Sequence, residues 1–314
     1  MISGIHDPFS GNKQYLDSII VSFQKSGLNV YPVASFTDRI KFLSEINPNA
    51  VIYFPHGRLT MGNPDEAVNW LKQRNIPFFT PLSILQLEEK WLEDPMGMVG
   101  GFMGQCIVMP ELDGAIYPYV LIAQEKTKDG LFLFKTIPDR LAKFTQIVNN
   151  FIDLKTIKNQ DKKVAVYYFK GEGKNKLNAQ GMEGTESLYN LLKLMKAEGY
   201  NLNGLPETEK EFEDIIQKQG SIFSPKVKGH FEEFVKNGKP TLIESSKYDS
   251  WLKSSLSKKS YDDVIKKYGS APGDFMNVNQ NGKSYLAISA VRFGNIALLP
   301  QPSAAIGDDE FKIT

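Results

Sequence analysis

The run AVIYFP, Ala50 to Pro55, constrains what this chain can fold into more than any other stretch. Successive side chains of a strand point to opposite faces, so a strand with one face in water alternates apolar and polar residues. This run has no charged position, so both of its faces must be covered, and helices packed on both sides of a parallel sheet give that cover. The flanking sequence supplies such helices. In KQYLDSIIVSFQKSG, residues Tyr15, Leu16, Ile19, Ile20 and Phe23 recur at helical spacing, and Gly27 stands where a left-handed C-terminal cap belongs. FTDRIKFLSEIN is helical by the same spacing, and PDEAVNWLKQRN opens with proline and two acids, as a helix N-terminus does. MISGIH, LNVYPVAS and IPFFTPL read as the remaining strands.

Strand and helix therefore alternate, which predicts an α/β fold of the flavodoxin or Rossmann type with a parallel sheet between helices. Between Leu85 and Ile157 the pattern changes. MGMVGGFMG, then QCIVMPELDGAIYPYVLIAQE and KDGLFLF, predict a β-rich insertion at about 96–135, followed by a helix from about Ile137 to Leu154. The polar stretch LKTIKNQDKK reads as a linker and divides the 314 residues into a first domain, 1–157, and a second, 158–314. The second begins afresh with the strand KVAVYYF and a helix over Thr185–Glu198. Helices in TEKEFEDIIQKQG, GHFEEFVKNG and SYDDVIKKYG follow, then the strands YLAISAVRF and NIALLPQP, with Asn281-Gly282 as a hairpin turn. A second flavodoxin- or Rossmann-like domain is expected, its parallel sheet flanked by helices and its end a β-hairpin.

Charge and composition exclude several classes. Lys and Arg number 37 against 36 Asp and Glu, a net charge of +1, which gives no basic face for nucleic acid. No run approaches the roughly 18 apolar residues of a membrane span. MISGIHDPFSG lacks the basic start and apolar core of an export signal, so a cytoplasmic protein is expected. The single cysteine, Cys106, allows no internal disulfide and no Cys-rich zinc site, and within QCIVMP it reads as a small buried hydrophobe. Only five basic residues are arginine, at 39, 58, 74, 140 and 292, so an arginine with a chemical role has few candidates.

The loop after KVAVYYF, about fifteen residues from Lys170 to Gly184, is rich in glycine and lysine. Such strand-to-helix loops often cradle phosphate on free backbone N–H groups. Here the spacing fails: a P-loop needs serine or threonine after Gly173-Lys174, where Asn175 stands, and a dinucleotide fingerprint needs glycine at Lys176. A loop of this length is either functional or solvated linker.

Gly173-Lys174-x-x-Leu177-x-Ala179, then Ser187-Leu188 and LLKLMKAEGYNLNGLPETEKEFEDII, resembles the large subunits of cobaltochelatase and magnesium chelatase. VMPELDGAIYP, YGSAPGD (with Tyr268 where the family has tryptophan) and FGNIALLPQP resemble three further blocks of that family, in the same order. The resemblance implies a tetrapyrrole substrate, a divalent metal (cobalt, magnesium or iron) and ATP hydrolysis on separate AAA-type partner subunits, in keeping with the failed P-loop. It implies insertion of metal in cobalamin or chlorophyll synthesis, or removal in a haem-utilisation branch. A tetrapyrrole-binding or partner-binding module without turnover is a further reading. Members of the family are much longer, so the chain is expected to be an internal fragment or a truncated relative, inactive alone.

Chelation needs bases to exchange pyrrole protons, ligands to pass the metal, and groups to hold ring carboxylates. Candidate acid–base residues are Glu183, His56 and Glu111; candidate metal ligands are Asp113 and His6; candidate ring-binding residues are Lys174, Asn178, Arg58 and Gln301. Glu111 and Asp113 either converge on a cation or belong to a turn with Gly114. Glu183 precedes a helix and either serves chemistry or caps it. His56 follows a buried strand at its carboxyl end, where open α/β sheets place their sites, and either faces a cleft with His6 or bonds nearby backbone. His230 reads as a helix N-terminal residue. Met96, Met98 and Met103, among glycines, either accept a flat ring or pack. The two domains together are expected to form part of a macrocycle cleft.

Overall fold

The computed structural model describes residues 2–3, 11–60, 62–169, 177–179, 182–220, 229–273 and 275–301. The chain divides into two compact units, Met1–Thr156 and Ile157–Thr314.

In the first unit, β1 (Ile2–Ser3), β2 (Val51–Phe54) and β3 (Phe78–Phe79) run parallel in the order β1-β2-β3. Every residue of β2 is buried, and its alternate side chains go to different cores. Val51 and Tyr53 pack with Leu43 of α2 (Arg39–Ile46) and with Ala67 and Leu71 of α3 (Pro64–Arg74). Ile52 and Phe54 pack with Ile19 and Phe23 of α1 (Gln14–Lys25) and with Phe144 and Val148 of α7 (Pro138–Thr156). Cover on both faces is what the charge-free run required. The α1 stripe is buried as expected, and α1 ends at Gly27, φ 90°, where the Gly27 and Leu28 N–H groups donate to Gln24 and Phe23 at 3.0 and 3.1 Å.

Two local expectations are corrected. Leu28–Ser35 contributes one bridge residue, Val33, rather than a paired strand. The insertion is not β-rich throughout. After β4 (Leu82–Leu87) and α4 (Glu88–Glu93), the chain forms α5 (Gly100–Met103), a π-helical turn (Gly104–Val108) and α6 (Met109–Glu111) before β5 (Val120–Lys126) and β6 (Phe132–Thr136). A short apolar run carries no period that separates strand from helix. Here Cys106 and Pro110, four apart, are buried while Val108 and Met109 face solvent, which is helical spacing. β5 pairs parallel with β4 and antiparallel with β6.

The second unit is built on β7 (Val164–Tyr168), β8 (Asn178–Ala179), β9 (Met182–Glu183), α8 (Gly184–Ala197), α9 (Glu209–Gln219), α10 (His230–Asn237), β10 (Thr241–Glu244), α11 (Ser245–Ser255), α12 (Lys258–Tyr268), β11 (Asn277–Gln280), β12 (Lys283–Ile288), β13 (Val291–Phe293) and β14 (Ile296–Pro300). Two three-stranded sheets form, β13-β14-β7 and β10-β12-β11. Among the described residues of this unit only β14 and β7 pair in parallel, so the expected parallel sheet is corrected to a mixed pair of sheets. The reason is local: Asn281-Gly282, at φ 51° and 75°, and Gly294-Asn295 are two-residue turns, which join only antiparallel neighbours. The expected single strand at 285–293 breaks at Ser289-Ala290, where the chain passes from one sheet to the other.

The core of this unit gathers Leu188, Leu192, Phe212, Ile216, Phe293 and Leu298. Its helix α9 begins with a capping box: the Glu211 N–H donates to Thr208 Oγ1 at 3.3 Å and the Thr208 N–H to Glu211 Oε2 at 3.4 Å. Thr208→Ala should therefore lower stability by about 1 kcal/mol, read as a shift of the urea midpoint at unchanged slope.

Candidate functional site

The segment Pro55–Thr60 leaves the carboxyl end of β2 and is fixed from beneath by side chains of three elements. Asp113, whose side chain is fully buried, accepts from Arg58 Nε and Nη2 on Oδ1 at 2.8 and 2.6 Å, and from the Leu59 N–H on Oδ2 at 2.7 Å. Tyr53 Oη donates to the Arg58 carbonyl at 3.2 Å and accepts the His56 N–H at 3.3 Å. Arg39, 1% exposed, donates from Nη1 to the Leu59 carbonyl at 2.8 Å and from Nε to the Ser35 carbonyl at 2.9 Å, with its guanidinium 5.1 Å from the Tyr53 ring centre.

The π-helical turn serves the same loop. In its register the Met109 N–H donates to the Gly104 carbonyl, so the next donor, for Gln105, would be residue 110. That residue is proline and has no N–H. The Gln105 carbonyl instead accepts the Gly57 N–H at 2.9 Å, and the Cys106 thiol meets the Pro55 carbonyl at 3.5 Å. Burial pushes that thiol up to about 11, so it is no thiolate nucleophile near neutral pH. The helix then closes on Gly114, φ 90°, with Gly114 and Ala115 N–H groups donating to Glu111 and Pro110. Gly114 therefore caps a helix.

The expected residues fall out as follows. His56 is exposed at the rim of this braced loop, its imidazole open to solvent. Arg58, 26% exposed at its side chain, is held by Asp113, which reduces its charge toward an outside anion. Both oxygens of Asp113 are engaged, so in place of a metal it holds a guanidinium and an amide. Glu111 is exposed where Asp113 is buried, so the two carboxylates do not share a face. Glu183 is exposed at the N-cap of α8, and its carboxylate makes no capping bond there, among the described residues. The backbone of Asn178 pairs with that of Glu183. Leu177 is buried in the core of the second unit; a Cβ on Gly184 would lie 2.9 Å from Leu177 Cβ, so glycine lets the two segments touch. Gln301 is exposed after β14, its N–H on the Tyr168 carbonyl at 2.8 Å, and His230 opens α10. His6 and Lys174 lie outside the described residues. Among the described residues no group of three His, Cys, Asp or Glu side chains could hold a metal ion. Sequence reasoning missed Arg39 and Tyr53 as braces of the loop; the scarcity of arginine was the available signal.

A cavity of about 340 Å³, lined in part by Phe23, Tyr31, Leu43 and Asn49, lies where the chain enters β2, opposite the end that carries His56. Among the described residues no helix is long and apolar enough to cross a membrane.

These features define an α/β protein with helix-flanked, parallel-containing sheets and a braced loop at a strand's carboxyl end. The chain belongs to the CobN/magnesium chelatase family, whose model matches residues 2–314. It is 26% identical to an uncharacterized protein of Methanocaldococcus jannaschii over 96% of this chain and 26% of that protein. It is 23% identical to the chloroplastic magnesium-chelatase subunit ChlH of Oryza sativa subsp. indica, over 97% of this chain and 22% of that subunit. In fold it matches the catalytic subunit of cobaltochelatase from Mycobacterium tuberculosis, with a TM-score of 0.75 and 20% identity, over 98% of this chain and 26% of that one. The chain thus spans about a quarter of the length of these relatives.

Proposed function

We propose that this chain is part of the tetrapyrrole-handling subunit of a cytoplasmic metal chelatase, which inserts cobalt or magnesium into a corrin or porphyrin ring while AAA-type partner subunits hydrolyse ATP. The observation that carries this reading is the family match across residues 2–314, supported by likeness in fold to a cobaltochelatase subunit. In this reading His56, on its braced loop, exchanges a pyrrole proton or passes the metal, and Glu183 and Glu111 are further bases. Asn178, Gln301 and Lys174 meet the ring's polar edge, and Arg58 with Asp113 sets the loop.

The test is a titration of the full chain with protoporphyrin and with a corrin precursor, followed by absorbance. A spectral shift with a Kd below ~100 µM, about −5.5 kcal/mol, is expected. His56→Ala and Glu183→Ala should slow metal exchange into the bound ring. No shift with either ring would overturn the reading, and release of metal from a metallated ring without insertion would reverse its direction.

A further inference from the structure

One face of the sheet β13-β14-β7 is the core side, carrying Val291, Phe293, Ile296, Leu298 and Tyr168. The opposite face is open. Ladder register sets Arg292 beside Ala297 and Ala297 beside Ala165, and in the next row Leu299 beside Tyr167. Tyr167 is 69% exposed, and Phe169, two residues on, is 58% exposed next to Gln301. A parallel pair such as β14 and β7 is ordinarily covered on both faces, so the uncovered apolar face is a candidate binding surface.

The face itself says what. Two alanines leave a shallow floor, while Tyr167, Phe169 and Leu299 offer ring and branched apolar surface around it. By strand spacings the area is about 10 by 13 Å, wide enough for a flat macrocycle. Arg292 is exposed on this face and makes no ion pair among the described residues. None of the outward residues described on this face is acidic. An aromatic surface with an exposed arginine at its border fits a planar ring that carries carboxylates.

We infer that the open face of β13-β14-β7 is a stacking platform for a carboxylated tetrapyrrole, with Tyr167 and Phe169 against the ring and Arg292 on a ring carboxylate. This rests on the chelatase reading above and assigns it a surface.

The experiment titrates the full chain with protoporphyrin and with its dimethyl ester, for the wild type, Tyr167→Ala/Phe169→Ala, Ala165→Glu and Arg292→Gln. All four positions face solvent, so the variants should keep the wild-type circular dichroism and melting profile. The platform predicts at least tenfold weaker protoporphyrin binding for the first two variants. It also predicts that Arg292→Gln loses preference for the free acid over the ester. If the wild type binds and the first two variants bind equally well, the platform is wrong and the chelatase reading stands. If the wild type binds neither ring, both fail. If sedimentation finds a dimer that Ala165→Glu splits with ring affinity unchanged, the face is an interface between copies and the platform is overturned.

Discussion

Asp113→Ala is expected to lower the stability of the first unit by about 3 kcal/mol, measured by urea denaturation followed through its tryptophans and tyrosines. The substitution removes a fully buried carboxylate that takes two N–H bonds from Arg58 and one from Leu59. It leaves the Leu59 N–H, in the interior, without an acceptor, and the guanidinium without its counter-charge. Breaking a buried pair from one side costs about 3–5 kcal/mol, and the partial exposure of Arg58 puts this case at the lower end. Asp113→Asn should lose about half as much, because its amide oxygen can accept from one of the two donors. Arg58→Ala, combined with Asp113→Ala in a double-mutant cycle, should give a loss well below the sum of the single losses, since the two side chains share one interaction. An additive result would mean that Asp113 and Arg58 do not act as a pair.

The second large effect is expected at Gly294. It sits in the turn between β13 and β14 at φ 53°, and a Cβ there would lie 2.5 Å from the backbone oxygen of Asn201 and 2.3 Å from its Oδ1. The side chain could turn away, but the backbone oxygen is held, since it accepts the Asn295 N–H at 2.9 Å. Left-handed strain of about 1 kcal/mol and overpacking of about 1–3 kcal/mol then add, so Gly294→Ala should destabilise the second unit by about 3 kcal/mol. Gly282→Ala is the internal control: φ is 75°, but no atom lies within 4 Å, so only the strain of about 1 kcal/mol remains. Equal losses at the two glycines would show that the Asn201 contact does not matter.

Some of this was legible without coordinates. The charge-free run at Val51–Phe54 demanded cover on two faces, and the α1 stripe, the Gly27 cap, the Asn281-Gly282 turn and the helices at 184–197 and 209–219 all follow from local spacing and backbone sterics. Residues 105–111 were not legible, because an apolar run of that length suits a strand or a buried helix equally; only which neighbours bury Cys106 and Pro110 separates them. β10, four residues long, and α11, which buries no residue fully, likewise carried no signal of their own.

For the candidate site the division is sharper. His56 could be placed at a strand's carboxyl end from its position alone. That Asp113 would face Arg58 across 55 positions, rather than pair with Glu111 two residues away, could not be read, because ion pairs are chosen by distance in space and by burial. The sequence by itself determined the doubly covered strand β2, the strongly periodic helices, several caps and turns, and the family, since each depends on residues near one another along the chain. Only the tertiary structure decided which charges meet beneath the His56 loop and which face of β13-β14-β7 stays open. Those outcomes depend on how distant segments pack, and no local pattern encodes that.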